Sequence, residues 1–169
     1  APIMTNSESI HQFGNNAYGK PCTALNILRE TVMGRELFDH AFKTYAQRWK
    51  FKHPTSEDFF RTMEDASGVD LDWFWRGWFY TTHANDQSLG KVSTQTAESL
   101  LGDTELRQYY HRIEVRNEGG LVMPVVLEVT YEDGSTERLS LPVDVWRMNE
   151  VTFTKGFFSS KALAKVVLD

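Results

Sequence analysis

Carboxylates, imidazoles, a phenol and a run of indoles are the groups in this chain that could do chemistry, and their spacing sorts them. Glu64 and Asp65 stand close in sequence to Asp70 and Asp72, and paired carboxyls of this kind can divide general-acid and general-base work. The surrounding pattern instead puts the first pair at a helix end and the second at a helix start, where carboxylates cap backbone N–H groups and are solvated. The five histidines, His11, His40, His53, His83 and His111, form no i,i+4 pair on a helix and have no nearby cysteine to complete a tetrahedral metal set. They read as surface or capping residues. Cys22 is the sole cysteine, which excludes an intrachain disulfide, a thiolate zinc site and a redox pair. Tyr18 lies just before Pro21, a place near a helix N-terminus where the macrodipole favours negative charge; taken alone, it reads as a tyrosine packed at a helix start. Trp73, Phe74, Trp75, Trp78, Phe79 and Tyr80 could make a sugar-binding platform if exposed. Positions 74, 75, 78 and 79 follow helical spacing, so they read as a buried face.

The elements that must position these groups change character midway. Pro21 suits a first helical turn, Leu25, Leu28 and Val32 share a face, and Gly34 supplies a stop. A second helix is predicted from Arg35 to Trp49, with Phe38, Phe42, Tyr45 and Trp49 as its buried stripe. Thr55 with Asp58 makes a capping-box start for a third helix that carries Phe59, Phe60 and Met63 and ends at Gly68; Asp70 is the predicted N-cap of a fourth, through Tyr80. From Thr81 to about Leu106 the chain turns polar and loses its period, the mark of a linker. Beyond it the period becomes two. Strands are predicted at Tyr110 to Arg116, Val122 to Tyr131, Thr136 to Leu141, Val143 to Arg147, Glu150 to Thr154 and Ala162 to Leu168, with a hairpin turn at Glu132-Asp133-Gly134-Ser135. Six short strands with regular turns suggest a small antiparallel sandwich.

Tyr18-Gly19-Lys20, the three-helix spacing after it, Pro54 with Asp58 and Phe59, and the long run from Met63-Glu64-Asp65-Ala66-Ser67 to Val69-Asp70-Leu71 occur in a fixed order. In that order the chain resembles the aminopeptidase N family of zinc metallopeptidases, over roughly residues 1 to 80. Pro21 stands where the family has glycine, and Tyr80-Thr81-Thr82-His83 replaces its Gly-x-Pro exit. The resemblance implies a role for Tyr18: its phenol donates to the oxyanion formed when zinc-bound water attacks the scissile carbonyl. A phenol with a pKa near 10 remains a donor at neutral pH. It also implies two histidines and a general-base glutamate in a His-Glu-x-x-His motif, plus a second glutamate on the zinc. No such motif occurs in the chain, so the zinc ligands are expected upstream of Ala1, with no metal ligand and no cofactor-binding residue in this chain.

The expected fold class is therefore α+β: residues 1–85 as the helical C-terminal part of a thermolysin-like catalytic domain, residues 86–104 as a linker, and residues 105–169 as an immunoglobulin-like antiparallel β-sandwich. With 169 residues, 41% hydrophobic and 24% charged, the chain is long enough for these and is not disordered. Its net charge of -5 is spread evenly over both halves, which argues against nucleic acid as a partner. No run of residues is long and apolar enough to span a membrane. The expected partners of the parent are a peptide substrate and the missing N-terminal domains. For the fragment alone the expectation is inactivity, together with self-association or a conspicuous apolar face. Two rival readings stay open: a family member without a metal site that binds or scaffolds, and an independent module that holds carbohydrate on exposed tryptophans.

Overall fold

A computed structural model describes residues 1–102 and 108–169. The chain divides into two compact units, Ala1–His83 and Ala84–Asp169, each with its own apolar cluster.

The first unit is helical. Its opening helix is continuous, with α1 (Lys20–Ile27) flanked by wider π turns at Asn15–Gly19 and Leu28–Val32. Pro21 thus lies well inside the helix, not at its start. It has no N–H to give to the preceding turn, and the turn just before it is the widened one, closed by the Lys20 N–H on the Asn15 carbonyl. Gly34, at φ +80°, lets the chain reverse into α2 (Arg35–Trp49), a conformation that suits glycine alone among common residues. The predicted stripe of α2 is only partly inside. Phe38 and Ala41 are buried, whereas Phe42 is 42% exposed and packs its ring on Phe38, Tyr45 and Phe59.

Helix α3 (Ser56–Ser67) begins with the predicted capping box. The Asp58 N–H donates to the Thr55 hydroxyl at 3.3 Å, and the Thr55 N–H donates to the Asp58 carboxylate at 2.9 Å. Gly68 closes it in the left-handed region at φ +69°. Helix α4 (Asp72–Tyr80) starts one residue later than predicted, with Leu71 and not Asp70 at the cap position. The reason is packing: Leu71 is fully buried, and its N–H is taken by the Glu64 carboxylate at 2.8 Å. Asp70 still accepts from the Asp72 N–H at 3.1 Å. Phe74, Trp75 and Phe79 face the core with Leu28, Phe38, Phe60 and Met63. Phe13, Phe42 and Phe51 stay at the surface, Phe51 at 94% exposure.

The second unit holds two three-stranded antiparallel sheets, one ordered β1-β2-β5 and the other β4-β3-β6. The strands are β1 (Gln87–Thr96), β2 (Tyr109–Asn117), β3 (Val125–Tyr131), β4 (Thr136–Leu141), β5 (Thr152–Ser159) and β6 (Leu163–Leu168). A short helix, α5 (Ala97–Leu101), follows β1. Alternation puts Ile113 and Val115 from one sheet and Leu127 and Val129 from the other into a single cluster, which makes the unit a sandwich.

Two sequence expectations fail here. Residues 86–104, expected as a linker, contain β1 and α5; positions 103 and 104 lie outside the described residues. Strand β1 is at a sheet edge and is bulged between Leu89 and Val92, so it shows no clean period of two. Gly90 sits in this bulge so close to the Glu114 side chain that a Cβ there would collide with it. Conversely, Val143–Trp146 is a 3₁₀ turn, not a strand. The turn swings Trp146 into the core at 1% exposure, where its indole N–H donates to the Met123 carbonyl at 2.8 Å.

Candidate functional site

Tyr18 lies on the outer side of the π turn that opens the first helix, and its ring is 67% exposed. The turn is held from within. Buried Asn16 donates through its side chain to the His11 carbonyl at 2.6 Å, and the chain enters the helix past Gln12, a non-glycine residue at φ +50°. Phe13 lies edge-on to Tyr18, with ring centroids 5.8 Å apart. The phenol is thus presented to solvent at an irregular helix start, a feature that recurs at functional sites. Lys20, two residues on, points elsewhere: its ammonium donates to the Thr81 carbonyl at 2.9 Å, and burial lowers its pKa. It ties the first helix to the end of α4.

The structure gathers a second set of groups between α3 and α4. Glu64, Asp70 and Asp72 bring carboxylate oxygens within 4.8 Å of one another. Burial raises the pKa of Glu64, and Asp72 and Asp70 add to the rise while the Leu71 N–H opposes it. Beside these carboxylates is a hollow of about 470 Å³, bordered by Glu64, Asp72, Phe60, Trp75, Arg61 and Tyr80. The Tyr80 phenol is pushed up in pKa by burial first and then by Glu57 beside it. The sequence pattern alone places these acids at helix caps. Glu64 is a cap for Leu71, but the convergence with Asp70 and Asp72 depends on the tight turn at Gly68, which periodicity does not reveal.

The histidines do not assemble. His11, His40, His53 and His83 are exposed. His111 corrects the surface reading. It is fully buried on β2, with Nδ1 2.9 Å from the Thr94 hydroxyl and Nε2 3.0 Å from the Lys161 carbonyl. Since a carbonyl only accepts, Nε2 carries the hydrogen. Among the described residues, the group of side chains close enough to hold a metal ion is the all-carboxylate Glu64, Asp70 and Asp72 set, which suits a hard cation and not the imidazole-rich coordination of a catalytic zinc. The described residues of this chain do not fit that zinc. The indoles fail as a sugar platform too: Trp75 is 3% exposed, and Trp73 and Trp78 are half-buried.

The helical unit, which presents the Tyr18 phenol outward, and the antiparallel sandwich that follows it make the chain α+β. The model of the peptidase family M1 domain matches residues 1–78, and this part of the chain is similar to that family. Among solved structures, the chain is similar to Legionella pneumophila aminopeptidase A in complex with aspartic acid, at 19% identity and a TM-score of 0.51. That likeness covers 85% of this chain and 15% of the Legionella chain, so it speaks for the fold. No curated protein matches the chain.

Proposed function

We propose that this chain is part of a zinc-dependent aminopeptidase that removes N-terminal residues from peptides, and that Tyr18 is its contribution to the chemistry. The observation that carries the reading is the family match over residues 1–78, with Tyr18 held outward on the opening helix. The zinc, with its activation of water, belongs to ligands outside this chain. What the chain's own residues do is fix a donor. The π turn and Asn16 set the backbone at Tyr18, Lys20 anchors the following turn to Thr81, and the phenolic hydrogen is offered to the oxygen that becomes negative when the scissile carbonyl turns tetrahedral.

Tyr18→Phe in the longer protein tests this. The ring and its edge contact with Phe13 survive, and an exposed hydroxyl contributes little to stability. Loss of one such donor lowers the catalytic rate constant by about 100- to 1,000-fold, about 3 to 4 kcal/mol of transition-state stabilisation. KM and zinc content are expected to stay near wild type. Activity within about twofold of wild type at unchanged stability would remove Tyr18 from the mechanism.

A further inference from the structure

The sandwich leaves one strand edge without the guards that its other edges carry. Strand β1 is bulged between Leu89 and Val92, β4 exposes Glu137 and Arg138, and β6 carries Lys165 and a register shift against β3 at Thr130 and Tyr131. Bulges and charges of this kind keep an edge from pairing with another chain. Strand β5 instead runs beside β2 in unbroken register from Thr152 to Ser159 and contains a single charge, Lys155. Among the described residues no strand lies on its other side. Which backbone groups face that side follows from the first bonds of the strand. The Val151 carbonyl accepts from the Asn117 N–H at 2.9 Å, whereas the Thr152 N–H goes to the Asn149 side chain at 3.2 Å. Successive residues of an antiparallel strand bond to opposite sides. Residues 153, 155 and 157 therefore bond to β2, and Thr154, Gly156 and Phe158 hold their N–H and C=O groups outward. Phe153 and Phe157 pack on the core, so Thr154 and Phe158 stand exposed on the outer face of the sheet, with the Phe158 ring 4.8 Å from Tyr110.

We propose that two copies of this chain pair through β5, antiparallel about a two-fold axis at Gly156, so that two of their sheets join edge to edge. In this register Thr154 stands opposite the partner's Phe158, Gly156 opposite the partner's Gly156, and Phe158 opposite the partner's Thr154. Each such pair exchanges two N–H···O bonds, and together they use the outward groups of all three residues. Main-chain bonding of this kind is how an extended segment adds to a free sheet edge. Neighbouring registers fit worse. An axis at Lys155 sets the two lysines face to face, which is unfavourable, and it pairs Phe158 with Thr152, whose N–H is already taken by Asn149. An axis at Phe157 carries Thr154 past the end of the partner's strand. With the axis at Gly156, each Lys155 lies opposite the partner's Phe157 instead. A two-fold contact uses the same edge on both copies, so the assembly closes at two. The contact involves the sandwich alone and is independent of the peptidase reading.

Sedimentation velocity of the full chain from about 10 to 500 µM tests this, a range that reveals any dissociation constant tighter than about a millimolar. A concentration-dependent equilibrium between monomer and dimer is expected. Thr154→Pro deletes an N–H aimed at the partner while the bonds to β2 remain, and it should weaken the dimer about tenfold or more. Two double variants read the register. Thr154→Lys with Phe158→Lys puts lysines opposite each other twice and should leave a monomer, whereas Thr154→Lys with Phe158→Glu puts opposite charges at the same places and should restore the dimer. Circular dichroism checks that each variant is folded; if Thr154→Pro is not, the double variants decide. The proposal is overturned if the wild-type chain stays monomeric throughout the range or grows beyond a dimer. It also fails if the two double variants behave alike, or if the dimer survives the paired lysines, as association through the exposed aromatics of the helical unit would.

Discussion

Glu64 shows how one side chain can serve structure at an electrostatic cost. Its carboxylate caps Leu71, yet burial and the neighbouring Asp72 and Asp70 raise its pKa above the ordinary 4.5. The sign follows from linkage. A carboxyl whose folded pKa is raised binds its proton more tightly in the native state, so it penalises folding as pH rises past about 4.5 and not below. Glu64→Gln should therefore unfold at a higher temperature than the wild type at neutral pH, with the difference shrinking towards zero in acid. Paired melting curves from pH 3 to 8 would check this, and a variant less stable at pH 7 would show that the capping bond matters more than the buried charge. The paired acids run the opposite way. Arg29 holds Asp39 below its usual range through two hydrogen bonds at 2.7 and 2.9 Å, and that contribution is lost as pH falls.

At the scale of elements, the segments easiest to read were those whose signals are local. The capping box needs only Thr55 and Asp58 at the right spacing, and it formed as predicted. Thr55→Ala removes the side-chain acceptor and should cost about 1 kcal/mol, lowering the melting temperature of a unit this size by about 4–8 °C; calorimetry would detect that, and an unchanged transition would mean the helix start is held by packing alone. What was not legible depended on distant partners. Strand β1 is polar because it is an edge with a bulge, and only its pairing with β2 marks it as a strand. Val143 to Trp146 carries a β-like sequence, but the turn forms because Trp146 finds the Met123 carbonyl. His111 is silent in sequence for the same reason: its two partners, Thr94 and Lys161, lie 17 and 50 residues away. Tyr18 could be singled out only through its resemblance, since no periodicity distinguishes a presented phenol from a packed one.

At the scale of the whole molecule, each unit has an apolar core of its own, the condition under which a unit can fold alone. Residues 84–169 expressed without the helices should show a single cooperative unfolding transition and β-type circular dichroism. A broad, non-cooperative melt would instead make the helical unit a requirement for the sandwich. The full chain, for its part, offers carboxylates but no clustered imidazoles among its described residues. It is therefore expected to hold no stoichiometric zinc and to release no product from a fluorogenic aminoacyl substrate. Metal analysis with the assay would expose the contrary, and stoichiometric zinc with turnover would end the fragment reading.

The burial of Trp146 also gives the sandwich an optical identity. Trp49, Trp73, Trp75 and Trp78 all belong to the first unit, and Trp146 alone to the second. Its indole is enclosed at 1% exposure, edge-on to Phe153 and fixed to the Met123 carbonyl. Cut at Ala84, the molecule becomes a single-tryptophan protein whose indole emission should lie towards the blue and move red only when the two sheets part. In the intact chain that same lamp is outnumbered four to one, so the light the whole protein emits reports chiefly on its helices.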